Sequence, residues 1–586
     1  METIKLTIDK QQVEVETGTT ILEAARQVGI KLPTLCYLKD INNIGACRMC
    51  LVEIKGAKAL EASCATPVAQ GMDVSTNTSR VRTARRANLE LILADHPMEC
   101  LTCIRNLNCE LQTMAETYGI REISFPLFDS KYEPDNSTPA IVQEREKCIL
   151  CRRCAAVCAK VQTVHAIVPQ GRGFEASVTP AGGATLSDTA CVQCGQCTLV
   201  CPTGALHERD QAEEVWAALA DPKKHVVVQT APATRVSLGE ELGMEPGSIV
   251  TGQMVAGLRR LGFDKVFDTD FTADLTIMEE GSELIHRIKT GGVLPVITSC
   301  SPGWVKFIEH FYPELLPNLS TCKSPQQMLG ALAKTYYAEK MGLDPADIFM
   351  VSYMPCTAKK FEAQREEMRS SGYPDIDVVL TTREVGRMFR QSMINFKELP
   401  GEDYDNPLGI STGAGLIFGA TGGVTEAALR TVYEILTGGK LENINLTMVR
   451  GLDGVKEAAI PVGDLTVKVA VAHSLGHARD LLEAVKRGEV DYHFIEIMCC
   501  PGGCIGGGGQ PIPTNLEIRG KRVAATYTAD ELMEMRQSHL NPAVATLYEE
   551  FLVEPLGHKS HELLHTHYTA RKTPGPAKVP VAARRN

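Results

Sequence analysis

The sequence predicts cysteine-rich α+β domains at the front of the chain and a larger α/β domain behind them. Three observations lead there. A length of 586 residues exceeds what one core holds, and 44% hydrophobic residues suffice to bury several. Fifteen of the 21 cysteines precede residue 202, in four groups, and the other six follow residue 299. Beyond residue 210, short β-branched runs ("KHVVVQTAPA", "VLPVITSC", "DIFMVSYMPC") alternate with segments of helical period such as "TIMEEGSELIHRIKTGG" and "SPQQMLGALAKTYYAEKMG". That alternation predicts layered α/β structure with chemistry gathered at strand carboxyl ends.

Composition excludes other classes. No stretch approaches the ~18 apolar residues that cross a bilayer, and "METIKLTIDK" has no signal-peptide core, so a cytoplasmic location is expected. A net charge of −11 argues against a nucleic-acid binder. The basic clusters "RVRTARR" (80–86) and "RKTPGPAKVPVAARRN" read as a solvated helix face and a disordered end. In a reducing compartment so many clustered cysteines read as metal ligands rather than disulfides.

At the start, Ile4, Leu6 and Ile8 alternate as in a strand, "VEVE" (13–16) supplies a hairpin partner, and "TTILEAARQVGI" reads as a Thr-capped helix. Cys36, Cys47, Cys50 and Cys64 follow as C-x10-C-x2-C-x13-C. The order of elements resembles a plant-type ferredoxin. The spacing instead resembles the ferredoxin-like domain of respiratory complex I, and a 2Fe-2S domain is expected at 1–79. After a helix expected at 83–96, a domain at 80–120 carries "HPMECLTCIRNLNC", with His96, Cys100, Cys103 and Cys109. A neutral imidazole can replace a thiolate on iron and raises the potential; zinc suits the same Cys3His set, and the flanking motifs favour a 4Fe-4S cluster.

"CILCRRCAAVC" and "CVQCGQCTLVCP", at 138–210, are two copies of C-x2-C-x2-C-x3-C, the bacterial two-cluster ferredoxin pattern. One 4Fe-4S cluster is assigned to Cys148, Cys151, Cys154 and Cys201, the other to Cys191, Cys194, Cys197 and Cys158. Ala159 replaces the proline usual after the first run.

In the region 211–525 three segments stand out: "TSCSPGW" (298–304), "MPCTAKKFE" (354–362) and "EIMCCPGGCIGGGGQP" (496–511). They resemble the three signature loops of the FeFe hydrogenases, and the stretch 526–569 resembles that family's small subunit fused on, before a tail at 570–586. The resemblance implies the large-subunit fold and an H-cluster, a 4Fe-4S cube joined through a cysteine sulfur to a di-iron unit with carbon monoxide, cyanide and a dithiolate bridge. It also implies three accessory 4Fe-4S clusters and one 2Fe-2S cluster. Carried over by position, Cys356 and Cys500 ligate the cube and Cys504 is the shared thiolate. Lys359 bonds a cyanide, a charge-assisted contact, and Met354 and Met498 pack beside the di-iron unit. Pro232, Gln326, Phe418, Gly419 and the "GAGLIFGATGG" backbone complete the pocket. The glycines of the third loop are expected to let backbone amides approach the cofactor. "GAGLIFGATGG" fails G-x-G-x-x-G and is no nucleotide loop.

One departure stands out. The family's first loop has two adjacent cysteines, a proton relay and a cube ligand; here they are Cys300 and Ser301, while Cys499 stands where alanine is usual. The fourth cube ligand is therefore open between Cys300, Cys499 and Ser301. Cys300 occupies the relay position, and a thiol of pKa near ~8.5 exchanges protons at physiological pH.

The implied reaction is reversible oxidation of dihydrogen to protons and electrons. Protons leave through Cys300, Glu280, Ser320 and Glu283, with Arg287 at the exit; the spacing of Glu280, Glu283 and Arg287 puts them on one helix face, where a surface salt-bridge ladder is the plainer reading. Electrons pass along the clusters to ferredoxin or to flavin and NAD(P)-binding partner subunits in a hetero-oligomer, an electron-bifurcating one among the alternatives. A monomeric ferredoxin-coupled enzyme has the same cluster set. A dihydrogen sensor and a non-catalytic iron-sulfur assembly protein are the rival classes; such a sensor usually loses the relay cysteine, and the assembly protein the Lys359 and Glu362 pattern. Cys322 reads as a buried small hydrophobe, and His558, His561, His565 and His567 as surface or capping residues.

Overall fold

The computed structural model describes residues 2–127, 132–463 and 465–572, so the tail expected at 570–586 lies outside the described residues from 573 on. Strands Thr3–Ile8 and Gln11–Glu16 pair antiparallel, with Leu6 opposite Val13 and Ile4 opposite Val15. Their inward side chains meet Ile21, Leu22 and Ala25 of the helix Ile21–Gln27, whose first turn is capped by the Thr20 side chain accepting from Glu23 N. Asp73–Ser75 adds parallel to Thr3–Ile8, and Leu51–Ile54 and Glu61–Ala62 complete five strands.

The next helix spans Ser79–Ala94, four residues earlier at its start than the sequence suggests, because the Thr78 side chain accepts from Val81 N and caps the turn. His96 is left outside it. The basic stretch on this helix is not wholly solvated either: Arg85 is buried and donates to Leu51 O at 2.6 Å, tying the helix to the sheet.

The two-cluster motifs sit on a pair of short helices, Arg153–Lys160 and Gln196–Val200, that pack on each other. Antiparallel strands Ile141–Gln143 and Leu206–Glu208 close the ends of this unit.

The large domain holds two four-stranded sheets. The first is wholly parallel, in the order Lys265–Asp268, His225–Thr230, Ile348–Met354, Val378–Thr381. The second runs Val296–Ile297, Phe494–Met498, Leu465–His473, Val455–Val462, parallel except for the last pair. The helix Thr269–Thr290 joins them. Phe271 and Leu275 enter the core of the first sheet, and Ala273, Ile277 and Leu284 enter the core of the second. Two apolar stripes on one helix hold the sheets together while its polar residues stay buried between them. The C-terminal helices Pro542–Leu547 and His558–Leu564 bury Val544, Leu547, Leu563 and Leu564 in the first of these cores. Among the described residues no helix is long and apolar enough to cross a membrane.

Candidate active site

Four strand carboxyl ends converge on one cavity: Ala231 and Pro232 after His225–Thr230, Cys300 and Ser301 after Val296–Ile297, Cys356 after Ile348–Met354, and Cys499 and Cys500 after Phe494–Met498. The cavity volume is about 80 Å³. Met354, Met498, Phe418 and Pro232 give it apolar walls, and Gln326, Lys359, Gly503 and Cys504 also face it. Three loops distant in sequence thus place Cys300, Cys356, Cys499, Cys500 and Cys504 around one space.

The donors suit an iron-sulfur group. Burial raises the Cys356 thiol, reinforced by Cys500 and Cys504 beside it, and burial with Cys500 raises Cys504 to about 12. Such thiols give up protons only to a metal, and soft sulfur selects iron-sulfur centres. Lys359 Nζ donates to Glu362 Oε2 at 2.8 Å and to Cys300 O at 3.1 Å, engaging two of its three donors. Gln326 Nε2 donates to Glu362 Oε2 at 3.1 Å, while its Oε1 is buried without a partner. A cationic head and an orphaned amide oxygen beside five thiols fit a polar, sulfur-bound group.

Gly419 is not on the cavity wall; it packs against Ala233 N from behind. The glycine run also does other work than expected. A Cβ on Gly507 would overlap Pro355 O, and one on Gly508 would overlap Cys194 O and lie 2.6 Å from Gly195 Cα. These glycines let the third loop touch the second loop and the neighbouring cysteine loop, and of the third loop's glycines only Gly503, before Cys504, and Gly507, in the run, line the cavity.

Behind Cys300 lies a polar file. Glu280 is buried between Cys300 and Ser320, and burial pushes its carboxyl up to about 8, with the Ser320 hydroxyl opposing and Glu283 adding. Ser320 Oγ donates to Glu283 Oε2 at 3.1 Å, and Arg287 Nη2 donates to Glu283 Oε1 at 2.5 Å. Arg287 also donates to Pro317 O and Leu319 O at the surface end. The helix face is therefore interior for its carboxylates, and only Glu283 and Arg287 form an ion pair.

The sequence reading missed the surroundings of Glu283. Thr321 N donates to it at 3.1 Å, Thr321 Oγ1 lies 2.8 Å from His565 Nδ1, and His565 Nε2 lies 3.2 Å from Glu279 Oε2. His565 is the C-cap residue of the helix His558–Leu564, the capping rather than the surface alternative, and it is buried because the C-terminal segment folds back into the core. The His561 ring lies 4.3 Å from it between centroids, tilted by 41°, and His558 begins the same short helix. Cys322 is buried beside Glu283 and His565. Only the separation of some 240 residues concealed this network; no local pattern carries it.

The remaining cysteines form four groups. Cys36, Cys47, Cys50 and Cys64 hydrogen-bond among themselves. His96 shares a hollow with Cys100, Cys103 and Cys109. Its Nδ1 is buried without a partner, and burial and Lys147 lower it to about 4, so the ring is neutral and free to ligate. Cys201 neighbours Cys148, Cys151 and Cys154, whereas Cys158 neighbours Cys191, Cys194 and Cys197. Replacing His96 by alanine is expected to remove about four irons per chain, or to convert that cluster to a three-iron form, with the others unchanged. Iron analysis and electron paramagnetic resonance of the full chain check this; an unaltered spectrum excludes His96 as a ligand.

The groups are linked. Asn42 Nδ2 donates to Cys36 O at 2.7 Å and Cys151 O at 3.0 Å. Cys109 Sγ lies 3.5 Å from Pro202 O, next to Cys201. Gln162 Nε2 donates to Cys499 O at 3.1 Å, and Gln196 Nε2 to Gly506 O at 2.9 Å, which fixes the two-cluster unit on the third loop. The Cys36 group and the His96 group thus each adjoin the Cys148 group, and Cys194 of the Cys191 group reaches the cavity wall.

Comparisons with known proteins agree along the whole chain. Residues 224–508 match the iron only hydrogenase large subunit, C-terminal domain, and 516–571 the iron hydrogenase small subunit. Residues 1–79 match a 2Fe-2S iron-sulfur cluster binding domain, 85–124 the NADH-ubiquinone oxidoreductase-G iron-sulfur binding region, and 147–205 a 4Fe-4S dicluster domain. The chain is 52% identical over 584 residues to the NADP-reducing hydrogenase subunit HndD of Solidesulfovibrio fructosivorans, covering 98% of this chain and 100% of that one. It is 40% identical to iron hydrogenase 1 of Clostridium pasteurianum, covering 96% and 99%. A structure of a variant of the FeFe hydrogenase HydA1 from Chlamydomonas reinhardtii superposes with a TM-score of 0.57 at 47% identity, covering 62% of this chain and 100% of that one.

Proposed function

The chain belongs to the iron-only, or FeFe, hydrogenases, and from that premise we propose that it is the hydrogen-activating subunit of a cytoplasmic NAD(P)-linked complex. It is an enzyme of reversible dihydrogen oxidation and proton reduction, with an H-cluster domain and 2Fe-2S and 4Fe-4S domains for electron relay. The H-cluster, when bound, supplies the heterolysis of dihydrogen; the protein orients, insulates and wires it.

In this reading Cys356, Cys500 and Cys504 hold the cube and its extension. Lys359, ion-paired with Glu362, would donate to an anionic ligand of the bound group. Met354, Met498, Phe418 and Pro232 keep water away, which strengthens that contact. Cys300 passes protons between the cavity and Glu280, and Ser320, Glu283 and Arg287 carry them to the surface. A carboxyl at about 8 is matched to transfer in both directions near neutral pH. Three accessory 4Fe-4S clusters and one 2Fe-2S cluster, on the four groups of ligands above, carry electrons.

The full-length likeness to a subunit of an NADP-reducing hydrogenase carries the proposal of a complex. A surface feature supports it: Leu101 and Leu107, 90% and 89% exposed, flank Cys100, Cys103 and His96, with Met98 exposed beside them. An apolar patch over an electron port is suited to a partner subunit that carries flavin and the nicotinamide site. The tagged chain, isolated anaerobically from its own host, is expected to bring a flavoprotein with it and to couple dihydrogen to NAD(P)+. A monomer that reduces ferredoxin alone supports the monomeric alternative instead. Leu101→Asp with Leu107→Asp should release the flavoprotein and abolish NAD(P)+ reduction while dye-linked turnover stays within about twofold; retention of the partner removes the patch from the interface.

A further inference from the structure

We propose, resting on the reading that the cavity holds a cube joined to a di-iron unit, that Cys499 supplies the cube's fourth thiolate in place of the first-loop cysteine that Ser301 replaces. The two positions share one corner of the cavity. Cys499 N donates to Ser301 Oγ at 3.2 Å, and a Cβ on Gly303 would lie 2.7 Å from Cys499 Sγ. The Cys499 sulfur thus hangs over the first turn of the helix Pro302–Phe311, the turn from which a cysteine at 301 would reach inward. The N-terminal end of that helix favours an anionic sulfur. Cys499 and Cys500 hydrogen-bond through their thiols, so the added sulfur stands next to a cube ligand.

The other candidates are otherwise engaged. Cys300 packs with Phe418 and Met498, facing Glu280, Lys359 and Cys504, and its carbonyl accepts from Lys359. Cys499 packs in a different cluster, with Cys191, Cys194, Cys197 and Cys500. Cys300 therefore lies on the proton side and Cys499 on the electron side of the same space. Ser301 offers a hard oxygen whose lone pair accepts the Cys499 amide, a weak match for a soft site. The neighbouring cluster has four cysteines of its own in Cys158, Cys191, Cys194 and Cys197, and does not need Cys499.

The exchange has a further consequence. The Cys499 thiol also hydrogen-bonds with Cys194, so ligation by Cys499 puts the ligand sulfurs of two clusters in direct contact. Electrons would enter the cube across that sulfur pair.

The test uses the full chain, with iron, acid-labile sulfide and spin quantitation after reduction. Cys499→Ala is expected to lose the cube, about four irons and four sulfides per chain in protein made without the di-iron unit and about six irons in the matured chain, while the accessory signals persist. Adding Ser301→Cys to Cys499→Ala should restore them, and Ser301→Ala alone should leave the iron and sulfide counts unchanged. Retention of all iron in Cys499→Ala, or loss of the cube in Ser301→Ala or Cys300→Ala, overturns the assignment. If Cys499→Ala does not fold, Cys499→Ser decides: an oxygen ligand shifts the cube's resonance, and an unshifted signal overturns the proposal. Cys356→Ala separates the levels, since it removes the cube whichever residue is the fourth ligand. If it too keeps every iron, the reading of the cavity fails rather than the role of Cys499.

Discussion

Cys300→Ala is expected to lower dihydrogen turnover by a factor of ~10² to 10⁴, the usual cost of losing a placed proton donor. Iron content and the infrared bands of the cofactor should stay unchanged, because Cys300 sits on the proton side of the cavity and faces Glu280. Cys300→Ser keeps the volume but replaces the thiol by a far weaker acid, so it should recover little. Glu280→Gln should match the loss, since an amide cannot pass the proton on to Ser320. The pH profile reads the same path. With burial holding Glu280 at about 8, proton reduction should fall as pH rises above 8, where the carboxyl no longer holds a proton to deliver. Dihydrogen oxidation should fall on the acid side, where the carboxyl is already filled. Turnover of Cys300→Ala above about half that of the parent would remove Cys300 from the path.

Glu208→Gln is expected to destabilise the contact between the two-cluster unit and the catalytic domain by about 3–5 kcal/mol, the cost of leaving a buried charge without its partner. Glu208 Oε2 accepts from Arg383 Nη2 at 2.6 Å, and Oε1 from Arg387 Nη1 at 3.1 Å. Arg383 goes on to donate to Gln510 O at 2.6 Å and Gly508 O at 2.9 Å, so one guanidinium joins the cluster unit to the third loop. Burial alone would raise the Glu208 carboxyl, but Arg383 and Arg387 reverse this and hold it well below the carboxylate range. A depressed carboxyl stabilises the fold above its unfolded pKa of ~4.3 and loses that contribution as pH falls towards its folded value. Calorimetry should therefore show a lower transition for the variant at neutral pH and a shrinking difference on acidification below about pH 4. Electron delivery from the accessory clusters should slow while dye turnover at the catalytic domain persists. An unchanged transition would mean that the arginines find other acceptors.

Much of the molecule was legible in advance because cluster ligation is written in local spacing. The C-x2-C-x2-C-x3-C runs, and the strand runs ending at Cys300 and Cys356, each lie within a dozen residues. Alternation at Ile4 to Ile8 and a Thr cap at position 20 gave real elements for the same reason. The failures have a common origin. The helix starting at Ser79 was placed late because a single hydroxyl at Thr78 sets its first turn. Arg85 reads from the sequence as part of a solvated face, and the burial of the capping His565 is not foreseen, because their partners, Leu51 O and Glu279, lie far along the chain. The glycines of the third loop were given to the cofactor, although most of those after Cys504 make room for Pro355, Cys194 and Thr381.

By itself, the sequence determined which sulfurs exist, how they are grouped and which family of chemistry they serve, since thiolate number and spacing constrain a cluster before any packing is known. Only the tertiary structure decided which sulfur stands where another is missing, which carboxylates are dry and which guanidinium joins two domains. Those are properties of distance across the fold, set when Ser301 meets Cys499 and Glu208 meets Arg383, and no stretch of neighbouring residues encodes them.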